Sequence, residues 1–229
     1  IRWMEYLREA AVKRGYPEMG IWQTEVGFHR KYEYIAKAYP KFLYWALSHD
    51  WSYPDKYKLF FFAYGCPDDP KAYGYGKNLM AGESLTPHGQ ALNVLAGLFE
   101  HHPITIGATV HSNPELDFNL SGSGLMTYKA GQRLIVTCIF DQAFRERMKD
   151  ELEPVLSLSL SDLPESPVKV ERVGIYGETL DLTSGLSRDG ASWQVVVPLL
   201  EQPDSCYDHS MLAETTMFRS ALYIVFSFQ

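Results

Sequence analysis

An α/β part followed by an all-β part is the fold class this sequence predicts. Three observations predict it. Helical and strand periodicities alternate from residue 1 to about 102. Short strand-like segments separated by turn residues fill 104 to 229. The apolar runs of the first part carry no polar alternation, whereas those of the second part do.

In the first part, Trp3, Met4, Leu7, Ala10 and Ala11 recur at helical spacing, and Gly15 is the expected stop. Ile21 to Glu25 is a short apolar run with a polar end, expected as a strand. Tyr32, Ile35, Ala36, Tyr39, Leu43, Ala46 and Leu47 predict a second amphipathic helix, which Pro40 should kink or split in two. Lys58 to Tyr64 is apolar on both faces, as in a parallel strand covered on each side. A loop rich in Gly, Tyr, Pro and Asp follows from Gly65 to Leu85. Thr86 then reads as the N-cap and Pro87 as the first residue of a third helix, with Ala91, Val94, Leu95, Leu98 and Phe99 on its apolar face.

In the second part, alternating strands are expected at 134–140, 155–160, 168–173, 193–197 and 221–226. Turns are expected at Ala130-Gly131, Pro164 to Pro167, Tyr176-Gly177 and Arg188-Asp189-Gly190, the punctuation of an antiparallel sandwich. Asp141 to Glu153 is a charged connection that suits a short helix.

The bulk numbers narrow the function classes. With 229 residues, 46% hydrophobic, the chain suffices for one large domain or two small ones. A net charge of −7 without Lys/Arg clustering argues against nucleic acid as a partner. No apolar run approaches the roughly 18 residues of a membrane span. Cys66, Cys138 and Cys206 lie far apart in unlike contexts, which argues against zinc or a redox dithiol. No cofactor and no metal site are expected. His101-His102 suits a helix C-terminus, Asp68-Asp69 a solvated turn, and Asp208 and His209 a loop.

Helix, strand, helix, strand, helix amounts to about two and a half β/α units. Such a piece cannot close a core by itself, because its strands need partners on both edges. Since an eight-stranded β/α barrel takes about 250 residues, residues 1–102 are expected to be its last units, strands seven and eight. Residues 103–229 are the expected β-sandwich. The chain opens at Ile1 inside an expected helix, so a missing N-terminal barrel segment, or another chain, is the expected partner.

A strand ending in Thr24-Glu25-Val26-Gly27, a helix, an aromatic strand, a Gly-rich loop, the Thr86-Pro87-His88-Gly89-Gln90-Ala91-Leu92 helix start and then a sandwich containing Glu171 to Gly177 occur in this order. The order resembles the C-terminal portion of clan A retaining glycoside hydrolases. The resemblance implies a retaining glycosidase with a carbohydrate substrate. It implies that Glu25 is the nucleophile at the end of strand seven, and that Tyr64, ending strand eight, lines the sugar subsite. It also implies an acid/base Glu after an Asn. Here Asn78, Asn93, Asn113 and Asn119 precede Leu, Val, Pro and Leu, so that group is expected outside the chain.

The chemistry suits these residues. Retention needs two carboxyl groups about 5 to 5.5 Å apart. Gly27 lets the backbone turn sharply after Glu25. Sugars present C–H faces on which aromatic rings stack, so Tyr64, Tyr73, Tyr75, Phe28 and His29 are the expected substrate contacts. Two other readings remain open on sequence alone. One is a non-catalytic carbohydrate-binding or structural protein with a decayed barrel. The other is a sandwich serving as an interaction domain through the charged Asp141 to Pro154 connection.

Overall fold

The computed structural model describes residues 2–26, 34–49, 56–61, 79–81, 83–99, 104–118, 122–148, 150–161, 163, 165–199 and 220–229. Helix α1 (Arg2–Lys13) leads into strand β1 (Ile21–Val26), helix α2 (Tyr34–Ser48) and strand β2 (Tyr57–Phe61). β1 and β2 are parallel, so α2 is the crossover of a β-α-β unit. A two-residue-per-strand hairpin, β3 (Met80–Ala81) and β4 (Ser84–Leu85), precedes α3 (Pro87–Phe99).

Local chemistry sets the helix ends. Gly15 adopts φ +84°, and the amides of Gly15 and Tyr16 donate to Val12 O and Ala11 O at 3.0 and 2.9 Å. This is the Schellman closure that a glycine permits. Thr86 Oγ1 accepts from the Gly89 amide at 3.1 Å, so Thr86 is the N-cap of α3, as its sequence predicts. At the other end of α3, Arg133 donates to Leu98 O at 3.0 Å, a cation on the negative end of the helix.

The β part forms two antiparallel sheets. In chain order its elements are β5 (Ile104–Ile106), β6 (Val110–Asn113), β7 (Gly124–Ala130), β8 (Arg133–Ile139), α4 (Gln142–Met148), β9 (Val155–Leu160), β10 (Lys169–Gly174), β11 (Thr179–Asp181), β12 (Ser187–Asp189), β13 (Ser192–Pro198) and β14 (Ala221–Ser227). One sheet has six strands in the order β11-β10-β14-β8-β7-β5; the other has four, β12-β13-β9-β6. The charged connection does contain a short helix: Asp141 Oδ1 accepts from the Phe144 amide at 2.7 Å and caps α4.

The architecture is three layers. Leu134, Val136, Cys138, Leu222, Ile224 and Phe226 on one face of the six-stranded sheet pack against Leu156, Leu158, Leu160, Val195 and Val197 of the four-stranded sheet. On its other face Met126, Tyr128, Ile135, Ile139, Tyr223 and Val225 pack against Ile35, Ala36 and Leu43 of α2 and Ala91, Leu95, Leu98 and Phe99 of α3.

Two expectations change. The segments at 134–140 and 221–226 do not alternate: six of the seven residues of β8 and six of the seven of β14 are buried. Helices cover one face of these strands and a sheet covers the other, so polar positions have no place to go. Of the two outcomes expected at Pro40, a kink or a split, the split does not occur: α2 runs unbroken from Tyr34 to Ser48.

Candidate functional site

Glu25 is the penultimate residue of β1, at the end of the parallel pair where β1 and β2 finish side by side. Ile21 starts the strand and packs with Met4 of α1 and Trp45 and Ala46 of α2. Its amide donates to Lys56 O at 2.8 Å, which begins the ladder. The two helices are tied to each other: Trp45 Nε1 donates to Glu5 Oε1 at 3.0 Å, and Arg8 donates to His49 O at 3.3 Å.

The ladder is regular through Ile21↔Tyr57, Trp22↔Lys58 and Gln23↔Leu59. It then shifts, because the next pair is Val26↔Phe61. Three steps along β1 match two along β2, so one extra residue lies within Thr24–Glu25. A register shift of this kind, a bulge or a local irregularity, disrupts the ladder at that point.

Trp22 is 55% exposed, with the Lys58 ammonium 4.9 Å from its ring centroid. Glu18 pairs with Lys56 at the start of the strands; that hydrogen bond and charge hold the Glu18 carboxyl below its ordinary range.

Of the residues the sequence proposes for the site, Glu25 is on β1. Phe28, His29, Tyr64, Tyr73 and Tyr75 lie outside the described residues, as do Asp68, Asp69, His101, His102, Asp208, His209, Cys66 and Cys206. Among the described residues no group of three or more His, Cys, Asp or Glu is close enough to hold a metal ion. Cys138 is a buried free thiol whose pKa burial pushes far up, so it is an inert core residue.

Sequence reasoning missed several buried polar groups elsewhere in the fold. Lys41 of α2 is 6% exposed and donates to Gly122 O. Burial, with Lys37 nearby, lowers its pKa to about 8 against the pull of Asp141. Arg172 is 2% exposed and donates to Pro198 O at 2.8 Å across the sandwich core. Tyr128 and Tyr223, both fully buried, donate their hydroxyls to backbone carbonyls of α2. The available signal was a Tyr inside an apolar strand, since a buried hydroxyl needs a partner.

No family model matches the chain, and no curated protein matches it. Among solved structures it is similar to a GH30 endoxylanase from Clostridium papyrosolvens C71, at 9% identity and a TM-score of 0.47, covering 95% of this chain and 44% of that one. It is similar to the GH30 subfamily 8 xylanase Xyn30A from Clostridium acetobutylicum at 10% identity and a TM-score of 0.47, with the same coverage. A maltogenic α-amylase, AmyB from Thermotoga neapolitana, aligns at 10% identity and a TM-score of 0.34. The chain spans 44% of the length of either xylanase. These likenesses are too distant to assign an activity, so the functional reading rests on the chain's own residues.

Proposed function

We propose that this chain is the C-terminal part of a retaining glycoside hydrolase. On this reading residues 1–102 are the last units of a β/α barrel, 103–229 are a β-sandwich, and Glu25 is the nucleophile. The acid/base carboxyl belongs to a barrel segment outside the chain. The observation that carries the reading is the β1-α2-β2 unit with Glu25 one residue from the strand end. That is where a parallel barrel presents its reacting groups. The one-residue excess adds support. The shift in register falls at Thr24–Glu25, beside the proposed nucleophile.

The chemistry takes two steps. The Glu25 carboxylate attacks the anomeric carbon while the other carboxyl protonates the departing oxygen. That second group then removes a proton from water, which displaces Glu25 from the glycosyl-enzyme with net retention. Phe28, His29, Tyr64 and Tyr75 are proposed to contact the sugar.

The test is Glu25→Ala in protein carrying both carboxyl groups, assayed on an aryl glycoside. Turnover is expected to fall by about three orders of magnitude or more. It is expected to return in part with azide, a small anion able to occupy the vacated place. Wild-type turnover in the variant would end the proposal.

A further inference from the structure

Pro40 leaves a defined orphan in α2. It has no N–H, so the carbonyl of Ala36, four residues earlier, lacks its intrahelical donor. Ala36 and Pro40 are both buried, which denies that carbonyl ready access to water. An unpaired buried carbonyl is costly, yet α2 runs through this point without a break.

The missing donor comes from the far end of the chain. Tyr223, in the middle of β14, donates its hydroxyl to Ala36 O at 2.8 Å. One turn further, Tyr128 of β7 donates to the carbonyl of Pro40 itself. Both side chains are fully buried. Burial, helped in Tyr223 by Glu178 and in Tyr128 by Tyr44, Tyr39 and Tyr223, pushes both phenols upward, so both keep the proton they donate.

We infer that Tyr223 is a positioning residue that replaces the absent Pro40 amide, so that the six-stranded sheet holds the crossover helix at its proline. Tyr128 seats the next turn. The consequence reaches the strand pair. Ile35, Ala36 and Leu43 of α2 belong to the core shared with the sheet, while Trp45 and Ala46 belong to the core beneath Ile21 of β1. A helix seated by the sheet through its first half presents its second half to β1. The sandwich is then a mechanical support of the strand that carries Glu25, and not an independent appendage. The catalytic part of this inference rests on the proposed role of Glu25; the helix-seating part does not.

The experiment is a double-mutant cycle in the full chain, read by thermal unfolding. Tyr223→Phe orphans Ala36 O and is expected to lower Tm by about 3–8 °C. Pro40→Ala restores an N–H four residues after Ala36. In that background the Tyr223→Phe loss is expected to shrink to less than half. Tyr128→Phe serves as the control. Its acceptor, the residue 40 carbonyl, persists in both backgrounds, so its loss should persist too. Equal Tyr223→Phe losses in both backgrounds would overturn the inference. So would a collapse of both tyrosine effects, since that would report a helix generally repacked. If Tyr223→Phe alone does not fold, recovery of a cooperative melt in the double variant supports the inference, and no recovery overturns it. In active protein, Tyr223→Phe should lower kcat more than it changes KM, and Pro40→Ala should restore kcat. An inactive wild type would sink the hydrolase reading and leave the thermal cycle to decide the helix seat.

Discussion

The β8–β14 pair and the β1–β2 pair are both built from apolar runs, yet they end in opposite conditions. β8 and β14 lie at the centre of a six-stranded sheet, with helices on one face and a second sheet on the other. β1 and β2 form a two-stranded parallel sheet covered by α1 and α2 on one face, with Trp22 more than half exposed on the other. A parallel sheet is ordinarily buried on both faces. The first pair sits in a closed core; of the second pair's described side chains, Ile21 is buried and Trp22 is exposed. The same contrast appears on α1, where Met4 and Ala11 are buried while Tyr6 and Leu7 stand 63% and 48% exposed.

The contrast breaks most sharply under truncation of a side chain in each pair. Phe226 is fully buried in the sandwich core, so Phe226→Ala should cost about 3–5 kcal/mol in urea denaturation. Trp22→Ala in the same chain should cost about 1 kcal/mol or less, the scale of an exposed cation–π contact. Equal losses would mean that β1 is as closed as β14.

A second expectation follows from the proposed incomplete barrel and the exposed flank of α1. At micromolar concentration residues 1–229 should self-associate, and Leu7→Lys should reduce that association in light scattering. A monomeric wild type with one cooperative melt would contradict the incomplete-barrel reading.

The smallest effect concerns Lys41, at the joint between α2 and the strands. Its folded pKa, about 8, lies below the ordinary 10.5. Between these values the unfolded chain binds more protons, so the contribution of Lys41 to stability rises with pH. Lys41→Met should therefore hold its largest stability margin over wild type near pH 7 and lose it toward pH 10. The buried tyrosines act in the opposite sense: their raised pKa values give stability that is present below about 10 and lost above it. Parallel denaturation curves at pH 7, 8.5 and 9.5 test the Lys41 effect. A margin that does not change with pH would remove Lys41 from the account.

Much of the helical part was legible, because helix ends are local chemistry. Thr86-Pro87 announces the start of α3, and Gly15 the stop of α1, through hydrogen bonds within a few residues. The strands at 155–160 and 193–197 were legible as a half-buried pattern. The hairpin partner β7 was not, although Ala130-Gly131 marks its turn, because a buried Thr127 and Tyr128 blur its alternation. Arg172 reads as a surface residue in sequence and is a core residue in the fold. Its guanidinium finds Pro198 O on a strand 26 residues away, a partner that no local window contains. The place of Glu25 near the end of a strand was legible, while the shift in register at Thr24–Glu25 was not, since register belongs to two strands at once.

By itself, then, the sequence determined where α1 ends and α3 begins, that the strongest apolar runs become strands, and that a parallel β/α part precedes an antiparallel one. These depend on backbone dihedrals, caps and periodicity, all properties of neighbouring residues. Tertiary structure alone decided that β8 and β14 are covered on both faces and that β1 carries an extra residue beside Glu25. It also decided that α2 survives its proline. The last case shows the physical reason. A carbonyl orphaned at Ala36 cannot be satisfied from within its own helix, and the hydroxyl that satisfies it arrives from Tyr223, 187 residues along the chain.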